Sequence, residues 1–233
     1  MSAIEHIRNI FPQEQLQNRF PPIVFKHQLY ALLENRTTVD QQVNDLFECG
    51  RIKIFHLEHR NEEHMIVLTK DFIAHVNRYH NISSREGRGE RKDNRKLTSR
   101  EQIISRFLIE VIGSISELTI TEHTMINQYG FKDKDITELV NAGLLTLRDA
   151  GSWWFSIPGA GQFVKIFKKG RQATIRMIRA TKSREILLTE LRSRKSPASI
   201  KLGLTYHTHD LVGSDLIKCI PSTSGLVLRI ADD

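Results

Sequence analysis

The sequence contains few cysteines and no long apolar run. Cys49 and Cys219 are the two cysteines in 233 residues, too few for a disulfide framework or a thiolate zinc site, and they favour a reducing compartment. No apolar stretch reaches the roughly 18 residues of a membrane span, and the first residues lack the charge and apolar core of a signal peptide. Hydrophobic residues still make up 39% of the chain, enough for packed cores, so global disorder is excluded.

The sequence also lacks the parts of a phosphoryl-transfer enzyme. It has neither the glycine-rich loops that hold phosphates nor the aspartate motifs that hold the metal in kinases. Gly87-Arg-Gly89 stands in a charged stretch, and Gly159-Ala-Gly161 lacks both a third glycine and a following lysine. No nucleophile elbow is present either. We therefore predict a non-enzymatic protein without a cofactor.

Histidines are the remaining candidates for a metal site. His56, His59 and His64 fall in or near a predicted hairpin, and His207 and His209 would share a face if their segment were extended. A zinc pair at His207 and His209 is one interpretation. Because no thiolate or carboxylate nearby completes a tetrahedron, we instead expect polar loop histidines and no metal.

The net charge of +7 is distributed unevenly along the chain. Residues 161–201 hold 12 basic and 2 acidic side chains, residues 83–100 hold 7 and 3, and residues 101–160 hold 4 and 8. Such clustering of positive charge is typical of a protein that binds a polyanion. A solvated basic face is the alternative. Binding to acidic lipid is a second alternative, which we favour less because the apolar side of the basic segment 161–182 is expected to pack in a domain core.

The stretch 83–96 contains no apolar residue, and we interpret 83–99 as a charged flexible linker. The predicted domains are 1–82 before it, and 100–160 and the basic 161–233 after it. The first two share a pattern, because Asp45-Leu-Phe-Glu-Cys-Gly-Arg-Ile-Lys-Ile54 aligns with Glu138-Leu-Val-Asn-Ala-Gly-Leu-Leu-Thr-Leu147. Both read as a helix end, a glycine cap and the start of a strand.

Three helices closed by a β-hairpin form a winged-helix unit, a variant of helix-turn-helix. In the third domain we predict an amphipathic helix over 161–182, a helix around 186–191, a helix over 207–216, and a hairpin of 216–220 with 226–230. The predicted fold class is therefore α+β, mainly α with small β-hairpins, in three tandem winged-helix domains.

The adjacent tryptophans Trp153 and Trp154 are predicted to lie in a return strand. They could stack on nucleic-acid bases. Because neighbouring residues of a strand face opposite sides, we favour one core tryptophan and one contact between domains.

From residue 141 onward several sequence segments are characteristic of one protein family. The sequence closely resembles the family called serine/threonine-protein kinase 19, also called winged helix repair factor. The resemblance is strong over 131–230 and weaker over 10–80, where Phe20-Pro-Pro-Ile-Val24 fits. The matching segments are Asn141-Ala-Gly-Leu-Leu-Thr-Leu-Arg-Asp-Ala-Gly-Ser-Trp-Trp154, Ile157-Pro-Gly-Ala-Gly161, Lys169-Gly-Arg-Gln-Ala173 and Leu202-Gly-Leu-Thr-Tyr-His-Thr-His-Asp-Leu211.

The resemblance implies three packed winged-helix domains without kinase activity, acting on double-stranded DNA in the nucleus during transcription-coupled nucleotide excision repair. It implies as partners the stalled RNA polymerase II complex, the Cockayne-syndrome ubiquitin-ligase factor and the repair helicase complex. The family's DNA-contacting positions match Lys165, Arg179, Lys182 and Arg194, all basic here. The linker at 83–99 departs from the family pattern.

We therefore predict a DNA-binding scaffold that contacts phosphates with little base readout. The candidate DNA-binding residues on the polar face of the third domain are Lys165, Lys168, Lys169, Arg176, Arg179, Lys182 and Arg194. The alternatives are a protein kinase, as the family name states, and a winged-helix protein-interaction module that does not bind DNA.

Overall fold

The computed structural model describes residues 1–57, 64–82 and 97–231. Residues 58–63, which include His59 of the predicted hairpin region, and the linker stretch 83–96 lie outside the described residues. The first part of the chain forms four helices and three strands: α1 (Ser2–Ile10), β1 (Val24–Phe25), α2 (Lys26–Tyr30), α3 (Arg36–Glu48), β2 (Ile52–His56), β3 (His64–Leu68) and α4 (Thr69–Tyr79).

Apart from α4, the remainder of the chain repeats this order of elements twice. The first of these copies comprises α5 (Ser99–Arg106) with its π-helical continuation Phe107–Ile112, β4 (Thr119–Thr121), the π-helical turn Thr124–Gln128, α6 (Asp133–Asn141), β5 (Leu145–Asp149) and β6 (Ser152–Phe155). The last comprises α7 (Ala160–Arg179), β7 (Glu185–Leu187), α8 (Leu188–Ser193), α9 (Leu204–Gly213), β8 (Ile217–Ser222) and β9 (Gly225–Ile230).

The order helix, strand, helix, helix, strand, strand thus recurs three times, and we call the copies the first, second and third repeat. Each repeat has a three-stranded sheet in which the last strand is central: β1-β3-β2, β4-β6-β5 and β7-β9-β8. The predicted hairpin of 216–220 with 226–230 is present, with Ile217 paired with Ile230, and its strands continue beyond the predicted ends to the pair Ser222 and Gly225. These findings confirm the α+β class; the tandem domain count and the domain boundaries stay predictions.

Two glycines end helices where the aligned sequence pattern places them. Gly50 and Gly143 have φ of +71° and +72°, a left-handed conformation that side chains with a Cβ rarely adopt. The residue after each glycine donates its N–H back into the helix, Arg51 to Leu46 O and Leu144 to Leu139 O, both at 3.0 Å. This is the hydrogen-bonding pattern of a glycine-terminated helix, and it turns the chain directly into β2 and β5.

Two helices predicted in the third domain have other bounds in the structure. Each repeat has a strand of two or three residues between its first two helices, and the strand Glu185–Leu187 falls where a helix around 186–191 is predicted. Such short strands are stabilised by pairing with a distant partner, as Val24 pairs with Ile66, and carry no periodic signal of their own. The predicted helix 207–216 spans Leu204–Gly213 instead.

Packing groups the chain into two compact units. The described residues of the first unit fall in Met1–Asn44, Glu63–Ile66 and Ala160–Asp233. One part of its core is aromatic: Phe25 stacks on Phe167 with ring centroids 4.2 Å apart, and Phe20 meets Phe163 edge to face at 5.7 Å. Another part is aliphatic and lies under the third sheet, where Ile178, Leu191, Leu211 and Leu228 are fully buried. The helices α1 and α2 therefore share a core with α7 and α9.

The second unit comprises Asp45–Glu62 and Val67–Gly159. Phe107, Phe131 and Phe155 lie at its centre. Lys53 on β2 is buried, and its Nζ donates to the carbonyl oxygen of Ile115 at 2.6 Å. Burial lowers the pKa of Lys53. The hydrogen bond ties β2 to the chain that follows the π-helical segment.

Candidate nucleic-acid interface

Helix α7 carries the largest predicted group of DNA-binding residues. Phe163, Phe167 and Ile178 are fully buried on its apolar side, which confirms the predicted amphipathic pattern. The opposite side carries five exposed basic residues, which we call the basic stripe: Lys165, Lys168, Lys169, Arg176 and Arg179.

The stripe forms a narrow and continuous line along the helix. At about 100° per residue, its five side chains fall within a sector of about 100°. From Lys165 to Arg179 the helix rises by about 21 Å at 1.5 Å per residue, which matches about six base-pair steps of 3.4 Å. The stripe can therefore face several successive phosphates of a duplex.

Lys182 lies beyond the end of the helix rather than on it. The predicted helix continued to residue 182, but α7 ends at Arg179. Thr181 Oγ1 donates to Ile178 O at 2.7 Å, a side-chain bond that competes with helix continuation. Arg184 then adopts φ of +55°. Lys182 and Arg184 are both exposed in this turn, so the turn extends the basic surface past the helix.

Arg194 differs from the other predicted residues because it is already paired. It follows the last residue of α8, and its Nη2 donates to Glu190 Oε1 at 2.7 Å. Both side chains are exposed. A phosphate that binds Arg194 must therefore displace or share this carboxylate.

Most positive charge of the third repeat is not neutralised within the protein. Residues 161–201 hold 12 basic side chains, of which Arg171 and Arg194 form ion pairs with Asp210 and Glu190. The other ten are exposed and form no ion pair with a described carboxylate. Beyond the predicted set, these include Arg184, Arg192, Lys195 and Lys201. The count of 12 basic residues in 161–201 already included these four side chains, whereas the resemblance to the kinase 19 family did not indicate them.

The helix that would read bases in a helix-turn-helix protein is buried here. In that fold the last helix before the hairpin enters the major groove, a position that α9 occupies in the third repeat. Tyr206, His207, Asp210 and Leu211 of α9 are fully buried. Gln28 Nε2 donates to Tyr206 O at 3.1 Å, which fixes α9 against α2. The third repeat therefore presents α7 and the neighbouring turns, and not α9, to solvent.

A buried ionic cluster reinforces this packing. Asp210 accepts from Arg171 Nε at 2.8 Å, and its other oxygen lies 2.7 Å from His27 Nε2. Burial alone would raise the pKa of Asp210, but Arg171 and the neighbouring histidines hold it well below its usual value. The cluster joins α2, α7 and α9. Sequence reasoning missed it because His27 and Asp210 are 183 residues apart.

The histidines of α9 contradict the expectation of polar loop residues. His207 is fully buried, and its Nδ1 lies 3.8 Å from Asp210 Oδ2, beyond hydrogen-bond distance. His209 lies edge to face with His6, and burial, with the nearby charges of His6 and Arg192, lowers its pKa to about 4. Within residues 1–57, 64–82 and 97–231, no group of three metal-ligating side chains comes together.

The second repeat offers a different surface. The side chains of α6 that face solvent at least in part include Asp133, Asp135 and Glu138, against the single lysine Lys134. Three carboxylates at the position of a recognition helix repel a phosphate backbone. We therefore assign no DNA contact to α6.

Trp154 is not free to stack on a base. Its indole stacks on His56 with ring centroids 4.6 Å apart, and the Arg148 guanidinium lies 4.9 Å from the ring centroid. His56 and Trp154 belong to the same compact unit, so this stacking is a contact within that unit, and the predicted contact between domains stays a prediction. The predicted core tryptophan is wrong, because Trp153, which pairs across the strands with Ile120 and Leu147, is half-buried, as is Trp154.

No described helix combines the length and the apolar character that a bilayer span requires.

Comparison with known proteins decides the family. A family model described as inactive serine-threonine protein kinase 19 matches residues 6–230. The chain belongs to this family. Kinase 19 family proteins named "Winged helix repair factor 1" are 41% identical in Mus musculus and 40% identical in Homo sapiens, over 99% of this chain and 85% of each relative. The protein of that name in Xenopus laevis is 36% identical over 99% of this chain and 83% of its own length.

Membership of the kinase 19 family settles the question of phosphoryl transfer. The family description names an inactive kinase, and the relatives carry the name of a repair factor. The chain is accordingly not a protein kinase, in agreement with the missing phosphate loop and metal motifs.

Proposed function

We propose that this protein is a non-enzymatic, DNA-binding scaffold that acts in DNA repair. The observation that carries the proposal is the basic stripe of α7. The stripe is about 21 Å long, and its five exposed cations have no carboxylate partner among the described residues. The names of the relatives, which describe winged-helix repair factors, support it. Lys182 and Arg194 add exposed basic side chains in the turns after α7 and α8.

The proposed mode of binding is contact with the phosphate backbone. Lysine and arginine side chains on one helix face release condensed counterions when they neutralise phosphates, and this release supplies most of the affinity. Base readout needs side chains inside a groove, but the helix in the recognition position, α9, is buried against α2. Binding is therefore largely independent of sequence.

The resemblance to the kinase 19 family extends the proposal to a pathway. In this proposal the protein acts in the nucleus in transcription-coupled nucleotide excision repair. Its partners there are the RNA polymerase II repair complex, including the Cockayne-syndrome ubiquitin-ligase factor and the repair helicase complex. A scaffold that holds DNA without reading sequence fits this role, because a lesion can stall the polymerase anywhere in a gene.

Charge reversal at Arg179 and Lys182 tests the proposal. Arg179→Glu with Lys182→Glu changes the net charge by −4 and leaves the buried side of α7 unchanged. We expect affinity for unrelated duplexes to fall to a similar extent. The plot of log affinity against log salt should flatten by about 0.9 for each phosphate that the variant no longer neutralises. Fluorescence anisotropy with two duplexes at several salt concentrations measures both quantities.

The matched control is Lys70→Glu with Lys134→Glu. It makes the same change in net charge at two exposed residues of α4 and α6 in the second unit. A carboxylate in the first turn of a helix is compatible with the helix dipole, so the fold should persist. If the control weakens binding as much as the test variant, the effect comes from overall charge and not from the basic stripe. Unchanged binding in the test variant would favour a protein-interaction module instead.

A further inference from the structure

The chain contains one serine or threonine that is followed by proline. This is Ser196, and Pro197 follows it. The dipeptide lies between α8 and α9. The preceding residues include the three cations Arg192, Arg194 and Lys195, all exposed.

Ser196 lies in an exposed stretch that belongs to no helix or strand. Proline disfavours the helical region for the residue before it, so Pro197 favours an extended backbone at Ser196. Arg194 is also extended, with φ of −68° and ψ of 143°. Ser196 and Pro197 are exposed, and the segment belongs to no helix or strand. A protein kinase binds its substrate as an extended strand. The stretch 194–197 can adopt this shape without melting a helix or strand, and the turn closed by Ile200 N–H to Pro197 O at 2.9 Å follows it.

Two nearby hydroxyl groups of the third repeat are engaged in hydrogen bonds. Ser193 lies in the last turn of α8 and donates to Glu190 O at 2.8 Å. Thr181 donates to Ile178 O at 2.7 Å at the end of α7. Ser196 Oγ forms no hydrogen bond to any residue that the structure describes.

We propose that Ser196 is a phosphorylation site for a proline-directed protein kinase, and that its phosphorylation weakens DNA binding by the third repeat. The kinase is a separate enzyme and the phosphoryl donor is ATP. Ser196 Oγ attacks the γ-phosphorus, and the new O–P bond forms as the bond from that phosphorus to the β,γ-bridging oxygen breaks. ADP leaves, and the hydroxyl proton passes to the catalytic carboxylate of the kinase. The second part of this inference rests on the proposed DNA-binding function.

The expected effect follows from charge and reach. Phosphoserine carries a charge of about −1.5 to −2 and three acceptor oxygens. Arg194 lies two residues away, at most about 7 Å between Cα atoms, and Lys195 is adjacent. The phosphoryl group can therefore bind both cations in place of a DNA phosphate. If two DNA phosphates are then no longer neutralised, affinity falls about thirtyfold at 0.15 M salt and the salt slope flattens by about 1.8.

The test treats the full chain with a cyclin-dependent kinase and Mg-ATP. Intact mass and fragment analysis then report the number and position of added phosphoryl groups. Ser196→Ala removes the acceptor, and Pro197→Ala keeps the acceptor but removes the feature that the kinase recognises. Anisotropy with a labelled duplex follows for each protein, before and after treatment. We expect one phosphoryl group on Ser196, none on either variant, and the drop in affinity only in the treated wild-type protein.

Three outcomes distinguish the inference from the proposed function. If a peptide spanning 190–201 is phosphorylated but the folded chain is not, Ser196 is inaccessible and the inference is overturned. If Ser196 is phosphorylated while affinity and salt slope stay the same, and Arg179→Glu with Lys182→Glu still weakens binding, the coupling is overturned and the proposed function stands. If the untreated chain binds no duplex at all, the proposed function fails, and the claimed effect on DNA binding fails with it.

Discussion

Substitution of Gly213 by alanine probes the burial of α9, on which the proposed backbone-only mode of DNA binding depends. A Cβ built on Gly213 would lie 1.9 Å from the carbonyl oxygen of His27 and 2.6 Å from its carbonyl carbon. Contacts under 3.0 Å essentially never occur for real Cβ atoms, so the backbone of α2 must retreat by about 1.1 Å or more. Main-chain atoms cannot rotate away as the end of a flexible side chain can.

The displacement also breaks interactions that hold the two helices together. The hydrogen bond from Gln28 to Tyr206 O is 3.1 Å long, and a shift of this size stretches it past hydrogen-bond distance. Overpacking contributes about 1–3 kcal/mol, and a buried amide without its partner contributes about 1–3 kcal/mol more. At about 2–4 °C per kcal/mol for a chain of this size, we expect Tm to fall by about 4–24 °C.

Gly161→Ala is the matched control, because both glycines are helical and differ in their surroundings. No atom lies within 4 Å of a Cβ built on Gly161. Alanine is favoured over glycine in a helix by about 0.5–1 kcal/mol, so this variant should raise Tm slightly. Calorimetry on both variants measures the two opposite shifts. If Gly213→Ala melts like the wild-type protein, α9 does not lie against α2, and α9 becomes available to enter a groove.

Three further outcomes follow from the structure. Asp210→Asn should lower the free energy of unfolding at pH 7 by about 3–5 kcal/mol. Because the pKa of Asp210 is depressed in the folded protein, the difference in unfolding free energy between variant and wild type should narrow as the pH falls below about 4. Urea titrations at pH 7 and pH 3 measure this difference, and equal values at the two pH values would contradict the prediction. Glu190→Gln releases Arg194 and should raise duplex affinity by up to about fivefold at 0.15 M salt, as measured by anisotropy; an unchanged Kd would show that Arg194 does not contact DNA. Trp154→Ala removes the stacking on His56 and should lower the free energy of unfolding, measured by urea titration, by about 1–3 kcal/mol. Its affinity for a DNA duplex should stay the same. A weaker affinity would mean that the indole contacts DNA.

The sequence predicted the elements whose signals are local. The helix α7 was recognisable because its apolar and basic residues separate at helical spacing over 20 residues. Gly50 and Gly143 marked helix ends because the left-handed conformation selects glycine. The basic stripe needed nothing more, since the exposed face of an amphipathic helix is defined once its buried face is known.

The elements that were missed depend on partners far along the chain. The strand Val24–Phe25 has two residues and is defined by its pairing with β3. The burial of α9 was hidden because Asp210, His207 and Thr208 are polar, and such residues are usually exposed. Their partners, such as His27, come from a helix near the start of the sequence. No pattern within α9 itself indicates that it is covered.

The division of the first unit into distant chain segments has a consequence for synthesis. Helices α1 to α3 emerge from the ribosome early, whereas α9 emerges about 160 residues later. At about 5–20 residues per second, this interval lasts about 8–32 s. During that time the faces of α1 and α2 that will contact α7 and α9 have no native partner. A chain that terminates before residue 204 never supplies α9, so the N-terminal helices of such a fragment stay exposed to chaperones and proteases.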